Sequence, residues 1–348
     1  MQHPSLGSNP GVVEVPLLQF GMMGFSRDER RQIEGIVKVL PQTSAIWRAG
    51  LFENADAWLV RGQKTRALPG ITDSRHQNLR VLAGLPTERA ITLNLDQIDR
   101  PLAFSLPMHN ADMEPRLTFE PASLPGVYAM LQQFETFLWD LRSRIVLGKQ
   151  LIERESELKQ TVYHVIHNKK LIAVLDFTNW KIGMLPNTNP QFFEDALWEK
   201  RPAQAHDIPG NFLITDVAQL RWIYAQHSTR NVLPARYQHE VIYFSRAPQV
   251  EVSWLRDSHL LLLRELTKQP TTFNNLIERT GLTYEQMTRD LASLYFAGSL
   301  TTTRSKAAQV DLNKGLHSQQ KTPGGANNSL SIFSSSLQPG RRLRQTDS

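Results

Sequence analysis

The chain has 348 residues, an ordinary apolar content of 41% and a formal net charge of +6. It has no cysteine, which excludes disulfides, thiol nucleophiles and thiolate metal sites and is typical of a cytoplasmic protein. No apolar run approaches the roughly 20 residues of a membrane span, and Met1-Gln2-His3-Pro4 lacks the basic and apolar parts of a signal peptide, so neither is expected.

The positive charge is concentrated at one end of the chain. Residues 304–348 hold seven basic and two acidic residues, including the cluster Arg341-Arg342-Leu343-Arg344, and the rest of the chain is close to neutral. Residues 305–348 are rich in small polar residues with few large apolar ones, so they are predicted to form a disordered basic tail. The overall charge therefore does not indicate a nucleic-acid-binding domain.

After a flexible N-terminus of residues 1–12, strands alternate with helical stretches. The apolar pattern predicts strands at residues 13–20, 45–47, 57–60, 90–95 and 102–106. Ser26 begins a helix and has Glu29 three residues on, which is the pattern of a capping box, and Pro41 ends that helix. This order predicts an α/β domain with a mainly parallel sheet over residues 13–145.

The order and length of these elements resemble a receiver domain of bacterial response regulators, with an unrelated α/β domain as the alternative. Receivers carry an acidic pair after the first strand, where this chain has Gly-Met-Met-Gly-Phe at 21–25. They carry a phospho-acceptor Asp at the end of the third strand, where Arg61-Gly62 follow Val60, and a Lys before a Pro later on, where Leu106 precedes Pro107. The resemblance therefore implies a pseudo-receiver that has neither a Mg²⁺ site nor a nucleophile.

A long helix is predicted over residues 127–160. Its apolar residues alternate steps of four and three, with an interruption at Gly148: Val127, Leu131, Phe134, Leu138, Leu141, Ile145 and Ile152. Two interpretations stay open, namely the last core helix of the N-terminal domain, or a connector that forms a homodimer.

Residues 161–250 are predicted to form an α+β module. Strands at 162–167, 171–175 and 180–185 precede a helix over 190–200, a strand at 212–214 with a helix capped by Asp216, and a late strand at 241–244. This order resembles the signalling modules of bacterial PATAN type, which sit beside receivers.

Residues 252–304 are predicted to form three helices and a short strand. Leu260 to Leu266 form the first helix, Gly281 ends the second, and Thr283 caps a third that ends at Gly298. The pattern resembles the winged helix-turn-helix units of bacterial regulators. Residues 252–303 nevertheless hold five basic and five acidic residues, whereas DNA affinity depends on phosphate neutralisation, so a protein-contact unit is predicted and DNA binding is the alternative.

One basic segment is a candidate site. Five basic residues follow the third strand within twenty residues that contain one acid, Asp73: Arg61, Lys64, Arg66, Arg75 and Arg80. Open α/β sheets bind ligands at the carboxyl ends of their strands, and Arg forks suit phosphate and carboxylate, so a cyclic dinucleotide or an acidic protein could bind here; a solvated loop is the alternative. No catalytic motif, metal-ligand set or cofactor loop is found, since His164 and His167 point to opposite faces of a strand.

Together these features predict a cytoplasmic signalling adaptor of bacterial type, without catalysis, cofactor or metal, that binds other signalling proteins. A winged-helix transcription regulator is the alternative function.

Overall fold

The structure is a computed structural model that describes residues 14–41, 44–67, 78–109, 115–202 and 204–308. The chain divides into two units, Met1–Ala308 and Gln309–Ser348, and all the described residues belong to the first unit. The predictions for the flexible N-terminus and for residues 309–348 of the basic tail lie outside the described residues.

The N-terminal part is built on a parallel five-stranded sheet. Its elements in chain order are β1 (Leu17–Met23), α1 (Arg27–Val39), β2 (Ile46–Gly50) and β3 (Ala57–Arg61), followed by a small side sheet and two further strands. The side sheet is β4 (Thr65–Ala67), β5 (Asn78–Val81) and β6 (Ile91–Asn94), and the main sheet continues with β7 (Leu102–Ser105) and β8 (Thr118–Phe119). The main-sheet order β2-β1-β3-β7-β8 is one of the common doubly wound orders. The α/β prediction with a parallel sheet is confirmed, and so is the capping box of Ser26 and Glu29 at the start of α1.

The strand predicted at residues 90–95 is not a member of the parallel sheet. It is β6, which pairs antiparallel with β5, and β7 takes the fourth place in the main sheet. Ile91 and Leu93 face inward while Thr92 is exposed, an alternation that fits a sheet with one solvated face. The buried face of the side sheet packs on the ends of the parallel strands, in a core of Met23, Val60, Leu79, Val81, Leu93 and Phe104.

The prediction of one long helix over residues 127–160 is wrong in its extent. Two helices, α2 (Leu124–Phe137) and α3 (Trp139–Glu153), meet at Leu138, whose backbone has φ −93° and ψ 17°. The apolar seam is buried within the molecule, in the core of the N-terminal sheet: Val127, Leu131, Phe134, Leu138 and Ile145. This burial favours a core helix over a dimerisation seam.

The middle of the chain forms an antiparallel sheet with helices on one face. Its elements are β9 (Val162–His167), β10 (Lys170–Asp176), β11 (Lys181–Met184), α4 (Pro190–Glu194), β12 (Leu197–Arg201) and β13 (Leu213–Asp216), in the spatial order β12-β9-β10-β11-β13. The helix predicted over residues 190–200 therefore ends at Glu194. Residues 197–201 pair with β9 instead, because Trp198 then packs against the core of the sheet.

The last elements are α5 (Val217–His227), α6 (Arg236–His239), β14 (Tyr243–Phe244), α7 (Asp257–Lys268), α8 (Phe273–Thr280), α9 (Tyr284–Phe296) and β15 (Leu300–Thr301). The three helices predicted for residues 252–304 are found as α7, α8 and α9. The late strand assigned to the middle module pairs instead with β15. Gly281 (φ 68°) follows α8, and Gly298 (φ 73°) follows the last turn of α9. Both adopt the left-handed backbone conformation that favours glycine after a helix.

Helix α5 belongs to three apolar cores at once. Ile223 and Tyr224 join the core of the parallel sheet, Val217 and Leu220 that of the middle sheet, and Trp222 and Ala225 that of helices α7 to α9. None of the described helices is both long enough and apolar enough to cross a membrane.

Candidate functional site

The carboxyl edge of the parallel sheet is the first candidate, because ligands of open α/β sheets bind there. Strand β3 ends at Arg61 and β7 at Ser105, and these two residues are partners in the ladder. The side chain of Arg61 is 15% exposed, and its Nε lies 3.0 Å from the carboxylate of Glu29 in α1.

Each nitrogen of the Arg61 guanidinium contacts another group of the protein. Its Nη1 donates to Ser105 Oγ and to the Leu106 carbonyl, each at 3.0 Å, and its Nη2 donates to Gln63 Oε1 at 3.0 Å. With Nε beside the Glu29 carboxylate, every nitrogen of the fork contacts the protein. Arg61 therefore stabilises the edge of the sheet, and most of its donors are used within the protein.

The same edge is sealed by the loop between β5 and β6. Gly84 packs so closely on the turn after β1 that a Cβ there would lie 2.3 Å from the Phe25 carbonyl oxygen. The Glu88 carboxylate accepts from the amides of Gly84 and Leu85 and pairs with Arg30 of α1. The side sheet and its loop thus pack against the edge at which a doubly wound domain binds its ligand.

The five basic residues predicted as one anion site are separated by the fold. Arg61 lies inside, whereas Lys64, Arg66 and Arg80 are exposed and have no ion-pair partner within the described part of the chain. Arg66 and Arg80 lie opposite each other on β4 and β5. Arg75 lies outside the described residues.

This separation predicts different stability effects for neighbouring basic residues. Arg61→Ala is expected to lower the free energy of unfolding by about 2 kcal/mol, because it removes three internal hydrogen bonds and the ion-pair partner of the Glu29 carboxylate. Lys64→Ala, at an exposed position, is expected to change it by less than about 0.5 kcal/mol. Urea unfolding measures both, and equal effects would show that Arg61 is solvated.

A second candidate is a set of buried polar side chains along the C-terminal turn of α5. His227 Nδ1 lies 2.7 Å from the Ile223 carbonyl oxygen and Nε2 lies 3.0 Å from Asp56 Oδ1, so both ring nitrogens face acceptor oxygens. The other oxygen of Asp56 accepts from the Gln19 amide at 2.8 Å. Burial opposes the charged form of Asp56, but His227 and the Gln19 amide stabilise it more, so the pKa of Asp56 lies below its ordinary value of 3.8.

The neighbouring residue of α5, Gln226, faces α7 and α9. Its Nε2 lies 2.6 Å from Ser293 Oγ and 3.3 Å from Asp290 Oδ1. His259 accepts the Arg256 amide on Nδ1, which places its proton on Nε2, 3.3 Å from the same Asp290 oxygen. Burial opposes the charge of Asp290, but His259 holds its pKa below the ordinary value.

The residue types Ser, His and Asp in this cluster do not form a catalytic triad. Ser293 Oγ donates to the Arg289 carbonyl and accepts from Gln226, and no hydrogen bond joins it to His259. His259 and Asp290 are fully buried, so a substrate cannot reach them. The cluster links three helices and has no accessible nucleophile.

A third contact ties the same end of α5 to the start of the described chain. Glu14 accepts from Tyr224 Oη at 2.7 Å and from Ser228 Oγ, and Arg230 Nε lies 3.2 Å from it. Burial and the Glu14 charge raise the pKa of Tyr224. We call the set of Asp56, which is partly buried, and the buried residues Gln226, His227, His259, Asp290 and Ser293 the α5 joint.

Sequence reasoning missed the members of the α5 joint. A signal existed, because His259 shares one helical face with Leu262, Leu263 and Leu266, and Asp290 lies among Met287, Leu291 and Leu294. Polar residues on an apolar stripe are expected to have buried partners.

The lowered pKa of Asp56 predicts a pH dependence of stability. Its carboxylate is favoured in the folded state, so its contribution is fully present above pH 3.8 and is lost as pH falls through the lower folded pKa. We expect the urea midpoint to fall in acid, and to fall less steeply in Asp56→Asn. Asp207→Asn is the matched control, because that side chain is 98% exposed and its removal should leave the slope unchanged.

Within the described residues no group of three or more His, Asp and Glu side chains could hold a metal ion. Comparisons with protein-family models, with curated proteins and with solved structures found no match to this chain.

Proposed function

We propose that this chain is a non-catalytic signalling adaptor of bacterial type, which binds other proteins and whose receiver-like N-terminal domain does not accept a phosphoryl group. The observation that carries the proposal is the position of Arg61. It ends the third strand, where a receiver has its acceptor Asp, and its guanidinium is held by Glu29, Ser105 and Leu106. A cation in this place opposes Mg²⁺ binding and supplies no nucleophile.

The α5 joint supports an adaptor in which partner binding at one part of the chain changes the packing of other parts. Adjacent residues of one helix, Gln226 and His227, bond to the C-terminal helices and to the parallel sheet respectively. A partner that binds more tightly to one arrangement of these contacts shifts the population toward that arrangement. Binding at one part of the chain is thereby coupled to the packing of another.

The burial of α9 disfavours the alternative of a transcription regulator. A recognition helix needs an exposed face to enter the major groove. In α9 every side chain from Met287 to Leu294 is buried except the half-buried Arg289, and Glu285 in the exposed first turn pairs with Arg48 of β2 at 3.5 Å. Helix α5 covers the face that DNA would need.

Phosphoryl transfer tests the proposal directly. The full chain is incubated with labelled acetyl phosphate and Mg²⁺, beside a competent receiver as positive control, and resolved on a phosphate-affinity gel. We expect no stable label on this chain. Acid-labile and alkali-labile label at stoichiometric level would contradict the proposal, because it would reveal an aspartyl phosphate.

DNA binding is measured in parallel, by anisotropy of a labelled duplex at low and moderate salt. Any binding by the full chain is expected to vanish when Arg341, Arg342 and Arg344 are replaced by Gln, since non-specific affinity depends on phosphate neutralisation. Tight duplex binding that survives this change would favour the transcription regulator.

A further inference from the structure

The outer face of the side sheet carries two arginines directly opposite each other. Arg66 of β4 pairs in register with Arg80 of β5, and Arg80 pairs with Thr92 of β6, so the three side chains form one row across the strands. All three are exposed. The neighbouring row on this face is Asn78 opposite Asn94.

Like charges directly opposite on an antiparallel ladder destabilise it. Neither Arg66 nor Arg80 forms an ion pair with a carboxylate of the described residues, in contrast to Arg30 and Arg61 nearby, which have Glu88 and Glu29. Among the described residues, the two cations therefore lie opposite each other without a carboxylate partner.

The apolar face of the same strands fixes this arrangement. Leu79, Val81 and Leu93 alternate with the polar row and pack in the core on the ends of the parallel strands. A register shift of one residue would move these side chains into water and the polar row into the core. The arginine pair is thus presented on a rigid surface whose position is set by the main sheet.

We infer that this row, which we call the arginine face, is a docking surface for an acidic segment of a partner protein. The inference rests on the proposed adaptor function and names the chemistry of its partner. Each guanidinium presents a planar fork that matches a carboxylate, and two forks side by side suit a segment with several acidic residues.

The chemistry of the arginine face favours carboxylates over a nucleotide. Its described side chains are two Arg, one Thr and two Asn, so the face has no aromatic ring on which a base could stack. These described side chains also include no apolar residue that could anchor a large interface. Association with this face should accordingly be fast and depend on long-range charge attraction, and the affinity should fall as salt increases.

The test uses the full chain and a fluorescent octapeptide of alternating Glu and Ser as the probe. Anisotropy titrations at 20 and 150 mM salt are compared for the natural chain and for Arg66→Gln/Arg80→Gln. We expect the double variant to bind at least about tenfold more weakly at low salt, because it removes the charge-assisted hydrogen bonds that the two guanidinium groups donate to the peptide. The matched control is Arg27→Gln/Lys38→Gln, which removes two exposed charges from α1 and should change the affinity less than twofold.

A second variant separates loss of binding from loss of folding. Arg80→Glu replaces the like-charge contact with an opposite-charge one, so it is expected to raise the melting temperature while abolishing peptide binding. Equal peptide affinity in all variants would overturn the inference. So would pyrophosphate or cyclic dinucleotide binding that is lost in the double variant without any peptide binding, because the face would then be a phosphate site. Neither outcome bears on phosphoryl acceptance, which is tested separately at the sheet edge.

Discussion

Gly148→Ala is expected to lower the free energy of unfolding by about 2–3 kcal/mol, although alanine is the better helix former. Gly148 lies inside α3 at its closest approach to α5. A Cβ there would lie 2.4 Å from the Leu220 carbonyl oxygen and 2.8 Å from Tyr224 Cβ. The first of these atoms belongs to the backbone, so the two helices must move apart, and the cores that meet on α5 lose packing.

The matched control is Gly35→Ala in α1. No atom lies within 4 Å of a Cβ built at Gly35, and its backbone is helical. This change is expected to raise the free energy of unfolding by about 0.5–1 kcal/mol, because alanine loses less conformational entropy on folding. Guanidinium unfolding of the two variants therefore gives shifts of opposite sign, and a stabilising Gly148→Ala would mean that α3 and α5 do not cross as described.

Local sequence patterns predicted the elements of this fold better than their partners. The capping box placed the start of α1, and alternating apolar residues placed β9, β10 and β11. The same alternation at residues 90–95 identified a strand but not its sheet, because the pairing depends on β5, which lies at the end of the basic segment and was not predicted as a strand. The break at Leu138 was missed since the apolar steps continue through it on both helices.

For the candidate sites too, the sequence predicted which residues are of interest but not where they lie in the structure. The composition indicated the basic residues after β3. It did not indicate that Arg61, the last residue of β3, packs inside the protein, whereas Arg66 of β4 lies on the outer face of the side sheet. The α5 joint depends on contacts between residues far apart in sequence, such as His227 with Asp56 and Gln226 with Ser293. Helical periodicity reports which face is buried and cannot identify the partner that satisfies a polar side chain on it.

Asp290→Ala is expected to lower the free energy of unfolding by about 2–4 kcal/mol, because two buried donors lose an acceptor. The carboxylate lies buried among α5, α7 and α9, and its removal leaves the Nε2–H of His259 and the amide of Gln226 short of an acceptor in a site without water access. Guanidinium unfolding measures the loss. Glu278→Ala in α8, at an exposed position, is the control and should change stability by less than about 0.5 kcal/mol.

A double variant distinguishes an unsatisfied partner from a simple loss of packing. In His259→Leu/Asp290→Leu both members of the pair become apolar, so no buried donor of His259 remains without an acceptor, and the cost should be clearly smaller than the sum of the two single changes. Additive costs would show that the two side chains act independently.

If the α5 joint couples the parts of the chain, Asp290→Ala should also alter how the full chain binds the acidic peptide, whereas Glu278→Ala should not. If a folded Asp290 variant bound the peptide with unchanged affinity, the α5 joint would contribute to stability alone and would not be coupled to peptide binding.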